Sequence, residues 1–207
     1  MQNKASLFVI AAPSGAGKTT LVKAMMDHHP KLRFSVSYTS RKQRKNEVPG
    51  KDYFFVEPAE FLRLQVDGKL LESALVFDNH YGTSRSQVED HLANGNNVIV
   101  EIDWQGAQQV RQSMPECISI FILPPSLAEL ARRLRTRRTD SDEVIARRLR
   151  DALGDMSHWH EFDFCIINDD REVAIAELEA VFAGTNEKNR SDDPVLQTNI
   201  QRILAQP

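Results

Sequence analysis

The chain runs straight from the apolar stretch Leu7-Phe8-Val9-Ile10-Ala11 into Ala12-Pro13-Ser14-Gly15-Ala16-Gly17-Lys18-Thr19-Thr20, and then into Leu21-Val22-Lys23-Ala24. A buried strand, a glycine-bearing turn, then a lysine and a hydroxyl opening a helix is the arrangement that wraps backbone N–H groups around a polyphosphate. Gly15 and Gly17 let the backbone curl and approach phosphate oxygens. Lys18 can reach the β- and γ-phosphates, and Thr19 places a hydroxyl where Mg²⁺ would sit, with phosphates and waters as its other ligands. Ala12 stands where such loops usually carry their first glycine. Alanine is the smallest side chain available there, so some distortion is expected rather than loss of the site. An ordinary strand-to-helix turn explains less, because Gly-Lys-Thr-Thr falls at the helix start. A nucleoside triphosphate site is implied.

At 207 residues, 41% hydrophobic and 27% charged, the chain can bury a substantial core as a soluble globular protein. A net charge of −3 argues against a general nucleic-acid binder, although local basic clusters exist. The two cysteines, Cys117 and Cys165, fall in apolar runs and are expected as buried free thiols of a reducing compartment. The N-terminal apolar run is too short to span a membrane and lacks a basic flank and a cleavage site. A cytoplasmic chain without a membrane partner is expected, and a homo-oligomer is left open.

Four apolar runs, residues 6–12, 97–103, 117–123 and 164–168, have the character of parallel strands buried on both faces. Helical patterns begin between them near Lys18, Trp104, Ser126, Ser141 and Arg171, with Ser126 a cap after Pro124-Pro125. This alternation predicts a doubly wound α/β core with ligands at the carboxyl ends of the strands. Residues 34–85 break the rhythm. Short strands over 34–38, 53–56 and 70–77, with a helix over 58–66, predict a mixed α/β insertion with antiparallel character. Its linking loop is basic through Arg41, Lys42, Arg44, Lys45 and Lys51. A second insertion, about 126–160, is an arginine-rich helical pair broken at 136–141. The tail is polar until a weakly amphipathic stretch at 195–204, which is read as an added helix or a mobile end.

The phosphate loop names a donor, and the acceptor must come from the insertion. There Ser37, Arg41 and Arg44 stand in SVSYTSRKQR, Tyr53 in GKDYFF, Glu72 in LLESALVF, and Tyr81-Gly82-Thr83 in NHYGTS. With these motifs in this order the chain resembles the guanylate kinases in their bacterial form, from about Leu7 to Phe182. The resemblance implies a three-layer α/β P-loop kinase with a parallel central sheet, an inserted GMP-binding region and a helical arginine-rich lid. It implies transfer of the γ-phosphoryl group of ATP to GMP, and to dGMP, in purine nucleotide metabolism with Mg²⁺. The divisions expected are a core of 1–36, 84–125 and 161–187, a GMP-binding insertion of 37–83, a lid of 126–160 and a tail of 188–207.

Carried over by position, Arg41, Arg44, Tyr53 and Tyr81 would hold the GMP phosphate, and Gly82 and Glu101 would also belong to the GMP-binding set. Ser37, Glu72 and Thr83 would read the guanine, with Asp103 nearby, and Thr83 keeps the hydroxyl where the family often has serine. Arg133, Arg137 and Arg148 match the family's phosphate-binding arginines. The family's Gly-Arg-Gly is here Thr136-Arg137-Arg138, which leaves the middle lid position between Arg137 and Arg138. Asn168 matches a position near the adenine.

The chemistry of the residues points the same way. Guanine presents N1–H and its 2-amino group side by side as donors, and a carboxylate offers two acceptors to match. Glu72 would bind guanine and repel the N1 lone pair of adenine. Taken alone it would be a solvated edge residue. Arg41 and Arg44 alone would be a solvated basic loop, and Tyr53 and Tyr81 half-buried packing. Glu101 and Asp103 alternate onto one side of a core strand near its carboxyl end, suited to a metal's water shell or the acceptor, or else to buried hydrogen-bonded carboxylates. Arg132, Arg135, Arg147 and Arg150 are read as surface charge.

The acceptor nucleophile is an ionised phosphate oxygen, so no general base is required. The obstacle is repulsion between two polyanions, about 4 kcal/mol per pair of unit charges at about 4 Å and a surface-like dielectric. Lys18, Mg²⁺, Arg41, Arg44, Arg133, Arg137 and Arg148 would offset it, and both insertions are expected to close over their substrates. His28-His29 and His158-x-His160 lack partners that complete a metal set, and Trp104 and Trp159 are read as packing residues. Two rivals remain: a catalytically silent module of the same fold that binds phosphorylated protein segments, and a P-loop kinase of another small phosphate ester such as a sugar phosphate.

Overall fold

The computed structural model describes residues 5–76, 78–136 and 142–205. In chain order its elements are β1 (Leu7–Ala11), α1 (Lys18–His28), β2 (Arg33–Phe34), β3 (Tyr38–Thr39), β4 (Phe54–Phe55), α2 (Pro58–Val66), β5 (Leu70–Val76), β6 (Asn79–Ser84), α3 (Arg85–Ala93) and β7 (Val98–Ile102). There follow α4 (Trp104–Ser113), β8 (Ile118–Leu123), α5 (Leu127–Thr136), α6 (Asp142–Met156), β9 (Phe164–Ile167), α7 (Arg171–Phe182) and α8 (Pro194–Leu204). The strands form a five-stranded sheet in the order β2-β7-β1-β8-β9 and a four-stranded sheet in the order β4-β3-β6-β5. In the five-stranded sheet β2 pairs with β7, and β8 with β9, in parallel. Continuously apolar strands such as Leu-Phe-Val-Ile-Ala of β1, all five residues buried, are what a sheet covered on both faces requires.

The described chain divides into two compact units, with β1 carrying it from one into the other at Val9 and Ile10. The first unit comprises the chain up to Val9 together with Pro30–Ile118. It contains the whole four-stranded sheet, in which β3 pairs in parallel with β4, while β6 runs antiparallel to both β3 and β5. The register between β5 and β6 shifts between Leu70 and Glu72, and this irregularity lets Leu70, Leu71 and Glu72 all be buried in succession. α4 packs against β5. Its first turn is closed by Asp103, whose Oδ1 accepts from Gly106 N at 2.8 Å.

The second unit comprises Ile10–His29 and the chain from Ser119 onward. α1 packs on α7, and α5 on α6. The polar tail resolves into a helix, α8: Asp193 caps it by accepting from Val195 N and Leu196 N at 2.9 and 2.8 Å, and Leu196, Ile200 and Ile203 form its buried stripe. Both cysteines are buried and neither forms a disulfide, as their apolar surroundings predicted, and burial pushes the Cys165 thiol well above its ordinary range.

Two readings need correction. Residues 34–38 are not one strand: Phe34 belongs to the parallel sheet through its pairing with Ile99, whereas Tyr38 and Thr39 belong to the four-stranded sheet. The run Phe-Ser-Val-Ser-Tyr alternates throughout, and alternation is blind to a change of partner. The second is an omission: Asn79–Ser84 is a strand and Arg85–Ala93 a helix. α3 buries only Val88, so its pattern is too polar to stand out.

Candidate active site

The phosphate loop belongs to the second unit. Gly15 and Gly17 adopt φ of 95° and 99°, angles at which a Cβ is strained, and the loop is cinched by Ala16 N donating to Pro13 O at 3.2 Å. Ala12 is not among the residues with positive φ, so the methyl that replaces the usual glycine strains no backbone there. Gly17 is the N-cap of α1, whose first turn holds no acidic residue, so the positive end of the helix dipole faces the loop, where it favours an anion. Lys18 is half-buried, and Thr19 and Thr20 are exposed.

The loop is braced from two directions. Asn168, at the end of β9, donates from Nδ2 to Ala16 O at 2.7 Å, and a Cβ on Gly17 would lie 2.3 Å from that same nitrogen. Arg133 of α5 donates to Ala16 O at 3.3 Å and to Asn168 O at 2.9 Å. A Cβ on Gly15 would meet Leu130 and Leu134 of the same helix at 3.0 Å. The Arg133 guanidinium is aimed by Glu129, which it meets at 2.7 Å. Arg132 and then Arg133 hold the Glu129 carboxyl down at about 2, so this pair stays charged throughout the neutral range. Arg148 is half-buried on α6, Arg132, Arg135, Arg147 and Arg150 are exposed as expected, and Arg137 and Arg138 lie outside the described residues.

The acceptor residues are in the first unit. Glu72 is buried, with 4% of its surface exposed. β5 and β6 set it opposite Thr83, whose Oγ1 donates to Glu72 Oε1 at 2.7 Å. Gly106 and Asp103 at the start of α4 lie beside it: a Cβ on Gly106 would stand 2.6 Å from Glu72 Oε2 and 3.2 Å from Asp103 Oδ1. Ser37 is half-buried between β2 and β3, and its carbonyl accepts from Phe54 N at 2.9 Å. Gly82 is hemmed in, since a Cβ there would meet Leu70, Phe61 and the Glu72 carbonyl at 2.9 to 3.0 Å.

A second group gathers around Arg41. Its guanidinium carbon lies 5.4 Å from the Tyr53 ring centre and 5.8 Å from that of Phe55, and Tyr53 meets Tyr81 edge-on at 5.9 Å. Burial alone would lower the pKa of Arg41, but hydrogen bonds to Glu47 and Tyr81 raise it, so its charge is permanent. Glu47, not identified from the sequence, organises this loop: Oε1 accepts from Arg41 Nη2 at 2.7 Å and Oε2 from Arg44 N at 2.8 Å. The available signal was a single acid six residues past Arg41 in a basic segment. Arg44 itself remains 68% exposed, 4.0 Å from Glu47.

Tyr53 is pushed up to about 12, first by burial and then by Tyr81 and Glu101, against the opposing pull of Arg41. Since the folded value lies above the ordinary value near 10, the folded state holds this proton more tightly than the unfolded chain. The stability so gained is intact below about pH 10 and is lost as pH rises through about 12. In an alkaline absorbance titration one of the three tyrosines, absent in Tyr53→Phe, is expected to ionise with a midpoint near 12. An early phenolate at that position would contradict the burial.

A divalent cation is compatible with the loop. Thr19, the exposed second residue of α1, carries a hydroxyl at the end of the loop, and among the described residues no cluster of three His, Cys, Asp or Glu side chains could hold a metal ion. Also among them, no helix is long and apolar enough to cross a membrane.

A family model described as guanylate kinase matches residues 4–185. A guanylate kinase of Methylococcus capsulatus is 54% identical over 175 residues, covering 84% of this chain and 86% of that one. One of Alkalilimnicola ehrlichii is 47% identical over 199 residues, covering 96% and 98%. The crystal structure of guanylate kinase from Anaplasma phagocytophilum superposes with a TM-score of 0.73 at 31% identity, covering 100% of this chain and 99% of that one.

Proposed function

This chain belongs to the guanylate kinase family and transfers the γ-phosphoryl group of ATP to GMP, and we propose that its two described half-sites divide that work between them. In the second unit, residues Ala12 to Thr20 cradle the ATP phosphates, with Lys18 on the β- and γ-oxygens. Arg133, Arg137 and Arg148 neutralise the transferring group, and Asn168 supports the loop beside the adenine. In the first unit, Glu72 with Ser37, Thr83 and Asp103 reads the guanine. Arg41, Arg44, Tyr53 and Tyr81, with Gly82 and Glu101 close by, hold the phosphate. The observation that carries this reading is Glu72: a carboxylate with 4% exposure beside the start of α4, held on one oxygen by the Thr83 hydroxyl, has the acceptor pattern that suits a pair of adjacent donors. Guanine supplies two. None of these roles falls on the ribose, so dGMP is expected as a second acceptor.

The attacking oxygen belongs to an ionised phosphate, so the residues need only position and neutralise. Thr19 would hold Mg²⁺ together with the phosphates, and the ion would supply neutralisation of phosphate charge. The division of the chain into a core of 1–36, 84–125 and 161–187, an insertion of 37–83, a lid of 126–160 and a tail of 188–207 belongs to this proposal. So does a cytoplasmic setting, with small nucleotides rather than nucleic acids or membranes as partners. A coupled ADP-release assay across GMP, dGMP, AMP, UMP and ribose phosphates tests it. Strong turnover with GMP and dGMP and little with the rest is expected, and equal use of ribose phosphate would overturn the guanine reading.

A further inference from the structure

Glycine weakens a helix interior, yet Gly106 stands in the first turns of α4 and has no positive φ to require it. Its neighbours supply the reason. A Cβ at this position would come within 2.6 Å of Glu72 Oε2 and 3.1 Å of Glu72 Cδ, closer than non-bonded carbon and oxygen tolerate. The helix cannot step back to relieve that contact. One turn further along α4, Gln109 grips β5 at the residue after Glu72: Ser73 N donates to Gln109 Oε1 at 3.0 Å, and Gln109 Nε2 donates to Ser73 O at 2.8 Å. These reciprocal bonds fix the spacing of helix and strand. The missing side chain of Gly106 therefore becomes room for the carboxylate, held on its other oxygen by Thr83.

We propose that Gly106 is a specificity-determining residue of this enzyme, which positions the Glu72 carboxylate for guanine by leaving it space. This rests on Glu72 reading the base, as argued above. In Gly106→Ala the conflict falls on the tip of a flexible side chain rather than on backbone, and alanine suits the helix. The protein folds, and the carboxylate moves. GMP KM is expected to rise by about tenfold or more, with preference for GMP over AMP falling in parallel, while ATP KM changes by less than about twofold.

Shortening the acid supplies the decisive control. In a Glu72→Asp background the carboxylate withdraws from Gly106, so adding Gly106→Ala is expected to change GMP KM by less than about threefold. Unchanged GMP KM in the single variant would overturn the proposal. So would equal effects of Gly106→Ala in both backgrounds, or loss of cooperative folding in Gly106→Ala by circular dichroism. Glu72→Gln separates the two levels: if it leaves GMP kinetics intact the base reading itself fails. An enzyme sensitive at Glu72 but insensitive at Gly106 refutes only the positioning role.

Discussion

Alanine in place of Lys18 is expected to lower the turnover number by about 10³-fold while GMP binds as before. Lys18 is the first residue of α1, and other groups set the shape of the loop before it. Those groups are the left-handed turns at Gly15 and Gly17 and the bonds from Asn168 and Arg133 to Ala16 O. Alanine is also the best helix former, so the variant keeps α1 and removes the charge. That charge is half-buried, where each pairing with phosphate is stronger than in water. Arg133 is anchored elsewhere on the loop, at Ala16 O and Asn168 O, so its charge adds to that of Lys18 and does not replace it. The residues proposed to read guanine all belong to the other unit, so GMP affinity by calorimetry should be unmoved. Wild-type turnover would remove Lys18 from the mechanism, and lost GMP affinity would point to damaged folding instead.

The phosphate loop and the strands of the parallel sheet could be read directly because their signals are local. A run such as Ile-Ser-Ile-Phe-Ile-Leu has one plausible environment, and Gly-Lys-Thr-Thr has one plausible place. What escaped depended on partners distant in sequence. Nothing within residues 34–38 says that Phe34 will pair with Ile99 and Tyr38 with Gly82. α3 did announce itself, through Ser84 and Gln87 at capping-box spacing, with Ser84 Oγ accepting from Gln87 N at 3.4 Å. With Val88 alone buried, no apolar period follows that cap to mark the helix.

The candidate site was legible in its residues but not in its supports. Glu72 and Thr83 could be named from motifs, but their hydrogen bond comes from a strand register that only folding sets. The resemblance puts Asn168 near the adenine, but only the distances show that its amide nitrogen also braces the phosphate loop at Ala16. Glu47, Gly106 and Gln109 carry no motif of their own. Each acts on a neighbour, and such roles become visible only when distances do.

Glu72→Gln is the sharpest probe of base choice, and it should lower kcat/KM for GMP by about 10²-fold. The amide keeps the volume of the acid and changes only charge and hydrogen-bonding pattern. It offers one acceptor where the carboxylate offered two, and in either orientation its NH₂ either confronts a guanine donor or displaces the bond from Thr83. A charge-assisted hydrogen bond is worth roughly 1.5–3 kcal/mol, which corresponds to about 10- to 150-fold in affinity. For AMP the change has the opposite sign. Adenine brings a lone pair at N1, which a buried carboxylate repels and an amide N–H can meet, so AMP use should rise as GMP use falls. ATP KM should stay constant, because the phosphate loop lies in the other unit. Steady-state kinetics with both acceptors decide the matter: parallel losses for GMP and AMP would mean that Glu72 serves only to hold the fold, and no change in either would mean that another group selects the purine.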